Sequence, residues 1–268
     1  MAHALRTGTA WDKEKKDYAY TRGLDKPGWA WEFLRRNSVF QLSAEQANTA
    51  HPLTCKHVDG THIYKADEPH HDAEMWGLSA FPNLLTSAVD GHIFWHPRAL
   101  SAQLRLRLTP CSGNTVEAFA LGDFKCRKAI LCQAGEEQLV LQRGTESVRL
   151  TACGHSLLEP CIHAIFEIEG FAKAQTSMGA LHRLLELRHV MEENPQVHSL
   201  HNAKWHDYLI ALDGHLAGRS YRDIAEILYG PDRIGPYWTD DSRGYKSKVR
   251  RAVRSGLALM NGGYRDLL

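Results

Sequence analysis

The chain has 268 residues, 43% of them hydrophobic, which is enough for the core of one large domain or of two to three small ones. Its 32 Lys and Arg residues nearly balance its 31 Asp and Glu residues, which excludes a protein that binds polyanions with its whole surface. Any affinity for nucleic acid must therefore come from a local basic patch.

The sequence contains no signal for export or for membrane insertion. It has no run of about eighteen apolar residues, and its first residues lack the apolar stretch of a secretory signal. We therefore expect a cytoplasmic protein with no membrane partner. The six cysteines are widely spaced without a Cys-x-x-Cys pair, a usage typical of free thiols, so we expect no structural disulfide.

The aromatic-rich residues 1–100 are predicted to form an N-terminal domain. Within them DKPGWAWEFLRRN predicts a helix, with Asp25 as its N-cap and Pro27 in its first turn. Trp29 and other apolar side chains of this helix fall on one face. Frequent His, Pro, Asp and Gly residues predict a loop-rich stretch over residues 50–90.

Residues 101–175 are predicted to form a small antiparallel sheet. Short β-type runs begin near residue 91 and follow one another along the chain: HIFWH, QLRLRLTP, EAFALGD, KAILCQ, QLVLQR, SVRLTA and CIHAIFEIEG. Gly-containing turns such as QAGEE and QRGTE separate them, as in a meander of hairpins. The pattern becomes helical after Gly170, so the sequence predicts an α+β fold.

Residues 176–268 are predicted to form a helical unit that contains a helix-turn-helix. Three helical segments follow one another: HNAKWHDYLIALDGHLAG, SYRDIAEILYG and DSRGYKSKVRRAVRSGLALM. The first is expected to bury four residues at helical spacing: Trp205, Leu209, Leu212 and Leu216. In the second, Ser220 is the expected N-cap and Asp223 completes a variant capping box. A helix that ends at Gly218 and a short capped helix are the first two pieces of a DNA-binding helix-turn-helix.

The third segment is predicted to be an amphipathic helix with one cationic face. At 100° per residue, one side groups the apolar and small residues Tyr245, Val249, Ala252, Val253, Gly256 and Met260. The other side carries the residues expected to contact DNA: Arg243, Lys246, Ser247, Arg250, Arg251 and Arg254. Small Ala252 and Gly256 would let another helix approach closely, and Arg side chains can hold phosphates or guanine edges.

One observation weighs against DNA contact and another against a standard helix-turn-helix. A basic face on a helix can also be a solvated surface that contacts no DNA. The connection PDRIGPYWTDDS is far longer than the turn of three or four residues in a standard motif.

The sequence offers one candidate metal site and no enzyme motif. The stretch CGHSLLEPCIH holds two Cys-x-His pairs, but the spacing is no known zinc signature, so metal binding stays open and no cofactor is expected. The residues concerned are Cys153, His155, Cys161 and His163. The motifs GxSxG, HExxH, GxxxxGK[ST] and, after a strand, GxGxxG are absent, so we do not expect an enzyme.

Both ends of the chain resemble one family of proteobacterial regulators. ALDGHLAGRSYRDIAEILYG followed by KSKVRRAVRSGLALMNGGYRDLL resembles the C-terminal domain of FseA-type transcriptional activators, which act in the excision of integrative and conjugative elements. YAYTRGLDKPGWAWEFLRRN and IFWHPRAL resemble the transcriptional regulator-like domain of the same proteins. The resemblance implies a DNA-binding activator of excision or transfer genes. It also leaves an antiactivator protein and RNA polymerase as candidate partners beside promoter DNA.

The resemblance extends the expected DNA contacts to the second helix of the motif. It implies roles for Ser220, Tyr221 and Arg222 at the start of that helix, beside the basic face of the third. The alternative is a protein-interaction module, or an antiactivator, that binds another regulator through the same basic helix. DNA affinity that falls steeply with salt would separate the two hypotheses.

Overall fold

The computed structural model describes residues 15–47, 53–66, 70–101, 103–111, 118–133, 135–168, 170–188, 200–234 and 243–268. It confirms the α+β class, with helices at both ends of the chain and a sheet between them. The sheet differs from the small antiparallel one predicted, because it has seven strands and is mixed. In the described parts of the chain, every helix is too short or too polar to cross a bilayer.

The helices are α1 (Lys26–Leu34), α2 (Ser38–Gln46), α3 (His71–Glu74), α4 (Gly170–Arg188), α5 (Leu200–Leu216), α6 (Tyr221–Tyr229), α7 (Pro231–Ile234) and α8 (Arg243–Met260). The strands are β1 (Leu53–Lys56), β2 (His62–Ala66), β3 (Leu104–Pro110), β4 (Arg127–Gln133), β5 (Glu136–Arg143), β6 (Glu146–Gly154) and β7 (Ile162–Glu167). Short 3-10 helices cover Lys15–Gly23, Leu121–Asp123 and Gly263–Leu267.

The strand order across the sheet is β1-β2-β4-β5-β6-β3-β7. The predicted meander is confirmed for β4, β5 and β6, which pair antiparallel through short turns. It fails for β3, which lies between β6 and β7 and runs parallel to β6. β2 likewise runs parallel to β4. Hairpin spacing predicts only neighbours along the chain, and these two parallel pairs join strands that are distant in sequence.

Two strands lie where the sequence predicted loops. β1 and β2 form a hairpin around Asp59 and Gly60, whose φ of +85° suits glycine. The Asp59 carboxylate accepts from the N–H of Thr61 at 3.0 Å and so stabilises the turn. Conversely, HIFWH and the described part of EAFALGD contribute only single bridges, through Trp95 and Phe119. An Asp-Gly pair is typical of a hairpin turn, and the prediction of loops did not take this pair into account.

The helix with Asp25 as N-cap is confirmed as α1. Asp25 accepts from the N–H of Gly28 at 2.7 Å, and Pro27 stands in the first turn. The same carboxylate pairs with Arg149 of β6 at 3.1 Å, so the start of α1 is also tied to the sheet. Trp29 on this helix is fully buried.

The largest hydrophobic cluster joins the N-terminal region to the C-terminal helices. Trp29 packs on Trp205 of α5 with ring centroids 5.9 Å apart. Trp95 stacks on Tyr264, which follows α8, at 6.2 Å. A second cluster fills the space between the sheet and α4. The division into residues 1–100, 101–175 and 176–268 stays a prediction, but the first and last of these parts share one core.

The expectation of free thiols throughout is wrong at one place. Cys111 and Cys161 form a disulfide, with Cα atoms 5.6 Å apart. The two residues lie just beyond the paired ends of β3 and β7, where Pro110 is opposite Ile162. The sequence could not reveal this proximity, because it depends on the position of β3 in the sheet. The other four cysteines are free.

Candidate nucleic-acid interface

The capping box predicted at the start of α6 is confirmed. The Ser220 hydroxyl accepts from the N–H of Asp223 at 3.2 Å, and the Asp223 carboxylate accepts from the N–H of Ser220 at 3.1 Å. Ile224 and Leu228 of this helix are buried, and Gly230 with φ +91° ends it. Two satisfied backbone donors and a buried apolar face hold α6 in a defined orientation.

The packing face predicted for α8 is also confirmed. Val249 and Val253 are buried, and Gly256 lies directly against α5. A Cβ atom on Gly256 would stand only 2.7 Å from the carbonyl oxygen of Tyr208 and 3.0 Å from the Cβ of Leu212. The absence of a side chain at this position therefore sets the distance between α5 and α8.

Helix α5, the first helix of the predicted helix-turn-helix, matches its expected apolar face except at its end. Leu209 and Leu212 are fully buried, and Trp205 is half-buried against the same cluster. Leu216, predicted to be buried, is 47% exposed, because it stands in the last turn of α5 just before the chain turns at Gly218. The apolar face of α5 is therefore buried up to Leu212 and exposed in the last turn.

The opposite face of α8 is cationic and open to solvent. Lys246, Arg250, Arg251 and Arg254 are all exposed, and the helix contains no Asp or Glu. Among the residues that the structure describes, none of these four makes a hydrogen bond or an ion pair. Ser247 is half-buried beside them, and Arg243 is the first residue of the helix.

A cation over two tyrosine rings joins α8 to α6, a feature that the sequence analysis missed. The Lys248 ammonium lies 5.3 Å from the ring centroid of Tyr245 and 5.9 Å from that of Tyr229. The two rings are 5.0 Å apart. Burial, with Asp207 and Tyr245 nearby, raises the pKa of Tyr229, so its phenol stays neutral. The spacing of Lys248 three residues after Tyr245 was the available signal.

The three residues predicted at the start of α6 differ in their surroundings. Ser220 is exposed, whereas Tyr221 is half-buried and packs against the large cluster. The Arg222 guanidinium forms an ion pair with Glu226 at 3.0 Å. The four exposed cations of α8 thus share one helix face, and these three residues lie on a separate helix. Their contact with DNA stays a prediction.

A buried ionic network fixes α5 to the N-terminal region. The Arg36 guanidinium donates to both oxygens of Asp213 on α5, and also to Glu32 at 2.8 Å. The Tyr18 hydroxyl donates to Asp213 at 2.8 Å. Burial alone would lower the pKa of Arg36, but Asp213 and Glu32 outweigh it and raise the pKa well above its usual value. The cation therefore stays charged inside the protein.

A buried neutral histidine lies at the same contact between the N-terminal region and α5. The Thr21 hydroxyl gives its proton to the carbonyl of Tyr18, so its oxygen accepts from Nδ1 of His206 at 2.9 Å. Nε2 of His206 is then the unprotonated nitrogen, and it is buried with no partner in the described part of the chain. Burial, helped by nearby Arg22 and Lys15, lowers the pKa of His206 to about 4.

The Cys-x-His stretch does not form a metal site in this structure. Cys161 is committed to the disulfide, and His155 faces Glu159 at 3.2 Å. The Cys153 thiol points to the carbonyl of Leu106 at 3.6 Å. Across the described ranges, no three His, Cys, Asp or Glu residues lie together in a way that could hold a metal ion.

Two family models match the chain. Residues 167–268 match the RovC-type domain described as "T6SS, Transcription factor, DNA binding domain", and residues 11–82 match the proteobacterial transcriptional regulator-like domain. Both models describe domains of transcription regulators, one of them DNA-binding, and together they support a DNA-binding transcription regulator. No curated protein and no solved structure matches the chain.

The two matched ranges contain different helices of the structure. The DNA-binding match contains α4 to α8, including the cationic face. The N-terminal match contains α1, α2 and α3, and with them Arg36. Neither is an enzyme family. Strands β3 to β6, which form most of the sheet, lie between the two matched ranges.

Proposed function

We propose that this regulator binds duplex DNA through the cationic face of α8. The observation that carries the proposal is the contrast between the two faces of this helix. One face is locked against α5, while Lys246, Arg250, Arg251 and Arg254 stand exposed on the other without an acidic partner in the described residues. Unpaired cations clustered on one helix stripe are the footprint expected of nucleic-acid binding.

The proposed contacts divide between holding the DNA backbone and reading bases. Lys246 and Arg251 would hold phosphates, as point charge and planar fork respectively, and Arg250 would read a guanine edge. Arg243, Ser247 and Arg254 would add contacts along the same face.

At the start of α6, Ser220 has a hydroxyl proton that the capping box does not use, so it can donate to a phosphate. Arg222 is shared with Glu226, so its contribution to DNA binding would be smaller. Tyr221 is half-buried and would contribute through the edge of its ring.

We further propose that the protein activates transcription of excision or transfer genes of a mobile conjugative element. This target rests on the resemblance to FseA-type activators, whereas the description of the matched DNA-binding model names T6SS. Chromatin pull-down followed by sequencing of the bound DNA distinguishes these targets. Retrieval of excision or transfer promoters supports the proposal, and retrieval of secretion-gene promoters contradicts it. The same resemblance makes an antiactivator and RNA polymerase the protein partners to test.

A salt titration of binding to duplex DNA tests the DNA role. The logarithm of the affinity should fall linearly with the logarithm of salt, with a slope of about −0.9 per phosphate contacted. A variant that replaces Lys246, Arg250, Arg251 and Arg254 by Ala should lose most of the affinity and most of the slope. A control that replaces the exposed Arg98 and Lys125 by Ala removes cations outside the matched DNA-binding domain.

The competing hypothesis is a protein-interaction module or antiactivator that uses the same helix to bind another regulator. It predicts that the fourfold variant and the control bind duplex DNA equally weakly. It also predicts that the fourfold variant loses a protein partner instead.

A further inference from the structure

Among the residues that the structure describes, the outer edge of strand β7 is unpaired beyond Ile162. This strand is the last in the sheet order, and its inner edge pairs with β3, where Ala164 is opposite Leu108. The Leu108 carbonyl accepts from the N–H of His155, on the side of β6, so the polar backbone groups of Ala164 face away from β3.

The outer side of the strand begins with one bridge and is then open. The Ile162 carbonyl accepts from the N–H of Phe119 at 2.8 Å. Backbone groups of alternate residues point the same way, so Ala164 and Phe166 also direct theirs outward. Neither finds a backbone partner there in the part of the chain that the structure describes.

The side chains along this edge are apolar and exposed. Ile165 is 52% exposed, Phe166 37% and Ile168 46%. On α4, which follows β7, three more apolar residues at seven-residue spacing are exposed: Phe171, Met178 and Leu185. An apolar edge strand with free backbone groups is a template for pairing with another strand.

We infer that β7 pairs with β7 of a second copy of this chain, antiparallel and centred on Ile165. In this register the outward N–H and C=O groups of Ala164 meet those of the second copy's Phe166, so the backbone groups of both residues form hydrogen bonds. Large Phe166 lies opposite small Ala164 of the second copy, and Ile165 lies opposite Ile165 of the second copy. His163 lies opposite Glu167 of the second copy and can donate to this carboxylate, which Arg107 of its own chain also binds, so the edge is complementary to itself in size and polarity.

The neighbouring symmetric registers are less favourable. Centring on Ala164 would place the second copy's Phe166 opposite Ile162, whose outward carbonyl is already bonded to Phe119. In the register centred on Ile165, Ile162 is opposite only Ile168, which lies beyond the end of β7 and does not have to pair. Centring on Phe166 would leave His163 without Glu167 and would place two phenylalanines at the axis. In the register centred on Ile165 the two-fold axis runs through the sheet, so both copies of α4 lie on the same side of the joined sheet.

Sedimentation equilibrium of the full chain over a range of concentrations tests the inference. The wild type should be a dimer of the 30.2 kDa chain. Ile165→Lys places two ammonium groups opposite each other at the axis and should raise the dimer dissociation constant at least about tenfold. Val58→Lys is the matched control, because Val58 is 98% exposed in the β1–β2 turn, and it should leave the dimer intact.

A pair of charge changes tests the register itself. His163→Glu places two carboxylates opposite each other and should weaken the dimer. Adding Glu167→Gln removes this repulsion without placing a second cation beside Arg107, and should restore the dimer. If circular dichroism shows that Ile165→Lys disturbs the fold, the variants at His163 and Glu167 test the dimer in its place.

A monomeric wild type at every concentration overturns the inference, as does an assembly that Ile165→Lys leaves unchanged. Failure of the double variant to restore the dimer overturns the register. DNA affinity plays no part in these measurements, so their outcome is independent of the proposed function.

Discussion

Arg36 and Asp213 form a bidentate ion pair that joins the N-terminal region to α5. Nε of Arg36 lies 2.5 Å from Oδ1 of Asp213, and Nη2 lies 3.0 Å from Oδ2. The two side chains are only 9% and 11% exposed, and Glu32 binds the same guanidinium from the other side. Because a buried charge without its partner is strongly destabilising, the position of α5 depends on the N-terminal region.

Asp213→Ala should therefore lower the free energy of unfolding by about 3–5 kcal/mol, since it leaves Arg36 buried with only Glu32 as partner. Urea unfolding followed by circular dichroism measures the change. Glu226→Ala is the control, because it removes an exposed partner of Arg222 and should change the stability by less than about 1 kcal/mol. Equal losses in the two variants would contradict a structural role for the buried pair.

Gly256→Ala should separate α8 from α5. The new methyl would meet the backbone carbonyl of Tyr208, which cannot rotate away, so we expect a loss of about 1–3 kcal/mol of stability despite the better helix propensity of alanine. Gly244→Ala lies in the first turn of the same helix with open space around it, and should be neutral or stabilising by up to about 1 kcal/mol. Thermal unfolding of both variants measures these changes in stability. A stabilised Gly256→Ala would show that the contact is not tight.

Two substitutions of Ser220 separate its capping role from a role in DNA binding. Ser220→Ala removes the N-cap and should cost about 1 kcal/mol of stability. Ser220→Asp keeps a capping oxygen and should retain the stability, but its negative charge should weaken DNA binding if a phosphate lies nearby. Melting temperature and DNA affinity are measured for both variants. If both quantities stay at their wild-type values in Ser220→Ala, the hydroxyl has neither role.

Arg250→Ala and Lys246→Ala should affect DNA binding in different ways. Both side chains are exposed, so the melting temperature should hardly change. Loss of a base-reading Arg250 should cost about 1–3 kcal/mol on the cognate site and relax the preference at one base pair, whereas loss of a phosphate-bound Lys246 should weaken all sequences alike and reduce the salt slope by about one. Affinities for cognate and scrambled duplexes at several salt concentrations distinguish these effects. If neither variant changes any affinity, the face is a solvated or protein-binding surface.

Stability should fall as the pH is lowered from about 6.5 to about 4. In the folded state burial holds the pKa of His206 at about 4, below its ordinary value of 6.5. The unfolded state therefore binds more protons between these pH values, and this one group should remove on the order of 2–3 kcal/mol across the window. His92, whose pKa burial also lowers to about 4, adds to the same window.

His206→Gln should flatten the dependence of the unfolding free energy on pH, measured by urea titrations at several pH values. His182→Gln serves as the control, since the His182 side chain is 76% exposed on α4. A change in slope no larger for His206→Gln than for His182→Gln would contradict the buried neutral histidine.

Features that depend on neighbours along the chain could be predicted from the sequence. The caps at Asp25 and Ser220 and the two faces of α8 all appear where they were predicted. In each case the interacting groups are three or four residues apart, so helical geometry alone brings them together. The candidate DNA-binding face could be predicted for the same reason, because it is a property of one helix.

Contacts between segments that are distant along the chain became known from the three-dimensional fold. The place of β3 beside β6, the pairing of Cys111 with Cys161 and the ion pair of Arg36 with Asp213 join residues that are far apart along the chain. No local pattern encodes such contacts, because they follow from how the sheet orders its strands and from how both ends of the chain fill one core. The prediction for Leu216 was wrong for the same reason, since its spacing suited burial but it stands in the last turn of α5 and is 47% exposed.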